Sequence, residues 1–422
     1  MFYKFKSFTT MNKKFIVMAA FAAVFGMGFT ACSNNDDLAD NGGGTPSSIT
    51  RGITFNLASE NQPVTRGAVV TTAAQIQADA YQFKVWAFDA TTDGMFMGGS
   101  ASTGLNVNWN TALDPAAWDY RTASIPYYYW PSHNLSFVAI TPQSNAEISA
   151  VNAACTSDNV TLATTVSVPT TVANQMDVMV ASYKDINYKG TNDAVNLTFR
   201  HALSQVAFAG RIEKSSNIEY VRVNSIQIKN IRPEGTITYT AASAGGDANS
   251  FVSVPNTEVA VTDYNATLVF DDAQSYETIN SDYKTSDVAN TNYKPLTSDD
   301  AQLMLLPQAV NGWTPTGTNP DGSDVHSYTT EAAAGVAATG EAAETANKDK
   351  VYLIVNAKLF GANDVELFSG DVYIPFPASH TWAPETKYLY NLEFTDDLLT
   401  PIKFTVATPA AWSTPTQTEY KF

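Results

Sequence analysis

The chain has 422 residues, enough for two domains or three small ones, each with its own core. Hydrophobic residues make up 44% and charged residues only 15%, and together with 20 tyrosines and 22 phenylalanines this excludes disorder and suits half-buried strands better than solvated helices. The formal charge of −17, from 24 Lys+Arg and 41 Asp+Glu, argues against nucleic acid or an anionic membrane surface as a partner.

The N-terminus reads as an export signal over residues 1–31. Lys4, Lys6, Lys13 and Lys14 are followed by the short apolar run Phe15 to Phe25 and by small residues up to Ala31, with Met11 as an alternative start to Met1. The run is broken by Gly26 and Gly28 too soon for a spanning helix. Phe29-Thr30-Ala31-Cys32 resembles a bacterial lipobox, in which the cysteine is lipidated and becomes the first mature residue; phenylalanine stands where leucine is usual. An ordinary secretory cleavage site is the alternative. Residues 32–52 form an acidic and then Gly/Pro/Ser-rich tether with no core signal. With Cys32 lipidated, Cys155 has no intramolecular partner and reads as a small buried hydrophobe.

Ile53 to Gly67 (ITFNLASENQPVTRG) opens the folded part. Ile53, Phe55 and Leu57 point to one face of a strand, with Thr54 and Asn56 on the other. Asn61 and Pro63 turn the chain and leave Arg66 on an accessible loop. A cut between Arg66 and Gly67 would release an edge strand and leave unpaired backbone groups as a template for a strand from another molecule. A first strand followed by an ordinary surface loop fits the same residues. Thr50-Arg51-Gly52 repeats the tripeptide Thr65-Arg66-Gly67, so Arg51 is a second possible cleavage point; the chain has only seven arginines, none after Arg232.

Further strands are expected at Tyr81 to Phe88, with Tyr81, Phe83, Val85 and Ala87 opposing Gln82, Lys84 and Trp86, at Tyr127 to Trp130, at Leu135 to Ile140 and at Gln175 to Ser182. Val195 to Ile212 gives two runs joined at His201-Ala202, the passage into a second domain. Beyond it, alternation places strands at Tyr220 to Ile228, Thr236 to Tyr239, Ala266 to Phe270, Met304 to Leu306, Val351 to Leu359, Val365 to Ile374, Tyr388 to Phe394 and Ile402 to Val406, the spacing of an all-β sandwich. Glu331 to Asn347 fits a helix or an exposed low-complexity loop.

No catalytic constellation and no metal-ligand spacing emerges. His133, His201, His326 and His380 are scattered, and His201 reads as a structural histidine at the junction. The adjacent pairs Asp271-Asp272, Asp299-Asp300 and Asp396-Asp397 would point to opposite faces of a strand. Asp321-Gly322-Ser323-Asp324 fits a polar turn better than a calcium loop. The expectation is a protein that is not an enzyme and needs no cofactor. Trp109, Trp118 and Trp313, expected on loops, would suit sugar stacking in an alternative glycan-binding role.

The residues together resemble the fimbrillin family, the Mfa-like and FimA-like subunits of type V pili of Bacteroidetes. The resemblance rests on the lipobox-like Cys32, on Thr65-Arg66-Gly67 after a first strand, on Tyr129-Trp130-Pro131 followed by LSFVAITP, on MDVMVAS followed by VNLTFRHALSQVAF, and on YIPFP, KYLYNLEF and a closing PIKFTV. It implies two tandem transthyretin-like β-sandwich domains, here 53–200 and 201–422, and an outer-membrane lipoprotein precursor. It also implies an arginine-specific protease that removes the strand segment 53–66, and assembly with copies of itself or related pilins by donor-strand exchange. The donor would be the segment 401–422, with Ile402, Phe404 and Val406 alternating and Trp412 as an anchor. A stalk or tip subunit is expected, with an anchor subunit as the alternative.

Overall fold

A computed structural model describes residues 52–57, 77, 81–125, 127–143, 145–186, 194–241, 249–268, 274–285, 292–297, 302–316, 318, 324–338, 345–397 and 401–411. Nearly every alternating run becomes a strand. Phe83–Asp89 lies inside a seven-stranded sheet, between Leu135–Thr141 and Leu105–Asn110. Met179–Ile186 and Arg200–His201 extend the sheet on one side and Ala117–Asp119 on the other.

This sheet is covered on both faces, which alternation alone did not indicate. Phe83, Val85 and Ala87 join one buried cluster, and Trp86 and Phe88 join another. Trp86, expected on the polar side, is fully buried. The first cluster is closed by a small parallel ladder, Phe55–Leu57 beside Val195–Leu197. The second is closed by a four-stranded antiparallel sheet in the order Asn249–Pro255, Glu234–Ala241, Val160–Ser167, Ile148–Cys155. Its inward residues Leu162, Val166, Ile237 and Tyr239 pack with Trp86, Val138 and Ile140. Strands from either side of residue 200 therefore share one sheet, Glu234–Ala241 pairing with Val160–Ser167 along its whole length. Contacts group Thr50–Phe422 as one unit.

The C-terminal half adds two further sheets over the same core. Ser204–Glu213 runs parallel to Thr386–Phe394, which pairs antiparallel with Ile402–Val406. Opposite stand Tyr220–Ile231, Tyr352–Phe360 and Glu366–Pro375, with Thr262–Asn265 at the edge.

Three expected elements differ. Tyr127 to Trp130 is not a strand; only Tyr129 forms a bridge, to Gly52, and the rings pack on one another instead of alternating. Of the strand expected at Ala266 to Phe270, Val269 and Phe270 lie outside the described residues; Leu268 makes a bridge to Thr297, and the described strand just before it is Thr262–Asn265. Of the segment Glu331 to Asn347, residues 339–344 lie outside the described residues; among the described ones α-helix is confined to the turn Glu331–Ala334, where the Thr330 hydroxyl accepts from the Ala333 N–H and Gly335, at φ 71°, ends it. Among the described residues no helix is long and apolar enough to cross a membrane.

Candidate functional site

The candidate site is built around the opening strand, Phe55–Leu57, and the residues just before it. Ile53, Phe55 and Leu57 are buried while Thr54 and Asn56 are exposed, as the alternation requires. Phe55 stands at the centre of an aromatic cage, edge-on to Phe83, Tyr120 and Phe137 with centroids 5.9, 6.0 and 6.0 Å away.

Its backbone is held on both sides. The Val195 N–H donates to the Thr54 carbonyl at 2.8 Å, and the Ile53 N–H donates to the Tyr128 carbonyl at 2.7 Å. Among the described residues Phe55–Leu57 pairs with Val195–Leu197 in a two-stranded ladder and is an edge strand, as the sequence suggested, with a further contact at its entry, where Gly52 bridges Tyr129 and Ile53 bonds to Tyr128. The Tyr127 to Trp130 run, although no ladder strand itself, supplies that one carbonyl.

Tyr120 ties this layer together. Its hydroxyl donates to the Ile53 carbonyl at 2.9 Å and accepts from the Tyr128 N–H at 3.2 Å, and burial pushes its pKa up. Gly52 leaves room for the Tyr127 ring, which a Cβ there would meet at 3.0 Å. Tyr127 is partly exposed and carries the Arg121 guanidinium 4.3 Å above its ring, and Arg121 in turn forks onto Asp119.

Beside this layer, where the chain leaves Val195–Leu197, His201 Nδ1 sits 3.0 and 2.9 Å from the two carboxylate oxygens of the fully buried Asp177. The Asp177 N–H donates to the Tyr81 hydroxyl at 3.3 Å. Glu147, also buried, accepts from the Met176 N–H at 2.9 Å. Burial, with the nearby Asp177 charge adding to it, pushes the pKa of Glu147 up to about 8. His201 therefore acts structurally, joining the strand it follows to the turn before Met179–Ile186.

The other sequence candidates are placed as follows. Cys32, Arg51, Arg66, Gly67 and Trp412 lie outside the described residues, as do Asp271, Asp272, Asp299, Asp300, Asp321, Gly322 and Ser323. Ile402, Phe404 and Val406 are in the strand that pairs with Thr386–Phe394; Ile402 is fully buried and Phe404 stacks on Tyr390 at 5.3 Å. Cys155 is half-buried, and burial raises its thiol pKa. Trp118 and Trp313 are buried rather than loop-exposed, and Trp109 packs edge-on against Trp118 at 5.3 Å. That overturns the expectation of three free sugar-stacking indoles: each ring has apolar neighbours within its own half of the fold. His380 is partly buried and lies 2.6 Å from the Tyr390 hydroxyl, its pKa lowered by burial. Among the described residues no group of three His, Cys, Asp or Glu side chains is placed to hold a metal ion.

Tyr120 is the residue of this layer that the sequence does not single out. A lone tyrosine after an Ala117–Asp119 strand carries no signal until the fold sets it under Ile53.

Among solved structures, a fimbrilin (FimA) from Porphyromonas gingivalis is similar over 86% of this chain and 97% of its own, with 9% identity and a TM-score of 0.38. The tip fimbrial protein Mfa3 from the same organism, with a C-terminal truncation, is similar over 79% of this chain and 96% of its own, with 11% identity and a TM-score of 0.29. No curated protein sequence matches. The family model described as fimbrillin-like matches residues 68–408, which takes in nearly all of the folded part and begins immediately after Gly67. The chain belongs to the fimbrillin-like family.

Proposed function

We propose that this chain is a structural subunit, stalk or tip, of a cell-surface fimbria, that it serves adhesion and that it has no catalytic role. It is exported as a lipoprotein through Cys32 and is matured by an arginine-specific protease that cuts between Arg66 and Gly67. It then polymerises with copies of itself or related pilins by donor-strand exchange. The observation that carries this reading is the opening strand: a period-two plug whose Ile53, Phe55 and Leu57 fill a core and whose backbone is bonded on two sides. The connection from that plug to Tyr81 holds Arg66.

Withdrawal of the strand would expose sites worth about 1.5–3 kcal/mol for each of three apolar side chains, together with backbone bonds of about 0.5–1.5 kcal/mol net each. A strand with the same alternation, arriving from a neighbour, would restore both. The segment 401–422 is the proposed donor. Because Ile402–Val406 and Ala410–Ala411 both pair with the chain's own Thr386–Phe394, the donor is assigned to the residues that follow, with Trp412, Tyr420 and Phe422 as its apolar side chains.

The test is to treat the chain with an arginine-specific protease, sequence the new N-terminus and follow assembly on SDS gels. Cleavage after Arg66 followed by SDS-resistant ladders, both lost in Arg66→Gln and the ladders alone lost on deletion of residues 412–422, supports the proposal. Resistance at Arg66, or a cleaved chain that never assembles, would instead favour an anchor subunit.

A further inference from the structure

The four-stranded sheet that spans residue 200 ends in a strand unlike the other end strands. Asn249–Pro255 (NSFVSVP) carries no charge and pairs with Gly235–Ala241 over seven consecutive positions without a bulge. Natural sheets guard their edges with charge, proline or bulges. The end strands of the three other large sheets each have a charged residue: Arg200 and Asp119, Lys284 and Lys403, Asp263 and Glu366. The opposite edge of the same sheet, Ile148–Cys155, is bulged between Ser149 and Asn152, and its Ala153 N–H is taken by the Ala101 carbonyl. Asn249–Pro255 has no charge and no bulge, and its proline, Pro255, stands only at its last position.

Its backbone polarity follows from the ladder. The Asn256 N–H bonds to the Glu234 carbonyl, and Pro255, which has no N–H, stands opposite Gly235. Antiparallel pairs alternate between bonded and non-bonded, so Val254, Val252 and Ser250 bond inward and the N–H and C=O of Phe251 and Ser253 point outward. Among the described residues no other backbone group takes them up. Val252 and Val254 are 57% and 60% exposed, on the outer face. Around the valines that face is uncharged: Thr236, Thr238 and Thr240 lie beside them, and Thr161, Ala163 and Thr165 lie beyond, while Glu234, at the end of its strand, is held by Ser167 and Asn256.

We propose that this edge pairs with the same edge of a second copy, antiparallel about a two-fold axis at Val252, to make a continuous eight-stranded sheet. Phe251 of each copy bonds to Ser253 of the other, which closes four backbone hydrogen bonds, and Val252 meets its own counterpart across the axis. A second copy is the fitting occupant for two reasons. The outward groups at 251 and 253 are symmetric about 252, so the edge is complementary to itself. The chain's formal charge of −17 opposes self-contact in general, and Asn249–Pro255 adds no like charge to the contact. This contact needs neither cleavage at Arg66 nor a donor strand.

The test uses the full chain with Arg66→Gln, so that strand exchange is blocked, and measures its mass against concentration by sedimentation equilibrium. Val252→Lys places like charges opposite one another, and Ser253→Pro deletes an outward N–H while leaving the inner ladder whole. Each should raise the dimer dissociation constant about tenfold or more while circular dichroism stays unchanged. In a background of Cys32→Ser and Cys155→Ser, Val252→Cys should cross-link to itself under mild oxidation, because non-bonded antiparallel pairs hold their Cα atoms about 4.5 Å apart. Val365→Cys, also exposed, should not. A chain monomeric at every concentration, a dimer indifferent to both substitutions, or equal cross-linking at 252 and 365 would overturn the proposal.

Discussion

Tyr120 donates its hydroxyl to the carbonyl of Ile53, 67 positions earlier in the chain, and so fastens the opening strand to the wall it leans on. The same oxygen receives the Tyr128 N–H, so one side chain satisfies two backbone groups that would otherwise be buried without partners. Tyr120→Phe keeps the ring and deletes the oxygen. It should cost about 1–3 kcal/mol in denaturant unfolding of the uncleaved chain. Phe55→Ala, which empties the cage of Phe83, Tyr120 and Phe137, should cost about 3–5 kcal/mol by the same measurement.

Glu147 sets a pH dependence of opposite sign to that of an ordinary salt-bridged carboxylate. Its folded pKa is near 8, against a reference value of 4.5, so between these values the folded chain holds a proton that the unfolded chain has released. Stability from this group is complete below about pH 4.5 and is lost as pH rises towards 8. Glu147→Gln cannot ionise and keeps an oxygen for the Met176 N–H. Thermal melts at pH 5 and pH 8 should differ less in this variant than in the parent, with the gain at pH 8.

Gly104 has φ +65°, and a Cβ there would lie 2.6 Å from the Trp86 ring. Gly99, at φ +76°, has nothing within 4 Å of the same construction. Gly99→Ala should therefore carry only the backbone cost of about 1–2 kcal/mol. Gly104→Ala should add an overpacking cost of about 1–3 kcal/mol and shift the tryptophan fluorescence, because Trp86 must move.

Arg200 forks onto Glu385 with N···O distances of 2.6 and 2.5 Å, joining the end of the first large sheet to the turn before Thr386–Phe394. A double-mutant cycle of Arg200→Ala and Glu385→Ala should give a coupling of about 0.5–3 kcal/mol. Glu385 sits at φ 56°, so Glu385→Gly should be less damaging than Glu385→Ala by about 1 kcal/mol, since glycine relieves the left-handed backbone.

Strands with large apolar residues at every second position were legible in the sequence. Ile402–Val406 has the limits that alternation gave it, and Tyr220–Ile231, Tyr352–Phe360 and Thr386–Phe394 differ only at their ends. Val160–Ser167 and Asn249–Pro255 were passed over: in Val160–Ser167 the alternate places Thr161, Ala163, Thr165 and Ser167 dilute the contrast that marks a strand, and in Asn249–Pro255 Phe251, Val252 and Val254 break the period of two. Tyr127 to Trp130 was over-read for the opposite reason: consecutive aromatic residues have strand propensity but no alternation, and here they pack ring on ring.

The sequence by itself determined that this is an all-β chain opening on an amphipathic strand, and that Arg66 lies in the connection that follows. Period-two patterning and composition are local properties and need no partner to be read. Only the tertiary structure decided that the opening strand pairs in parallel with Val195–Leu197, that Trp118 and Trp313 are core residues rather than surface ones, and that one sheet joins residues from both sides of position 200. Those outcomes depend on which strand lies beside which, and backbone pairing between segments tens of residues apart leaves no mark on either segment alone.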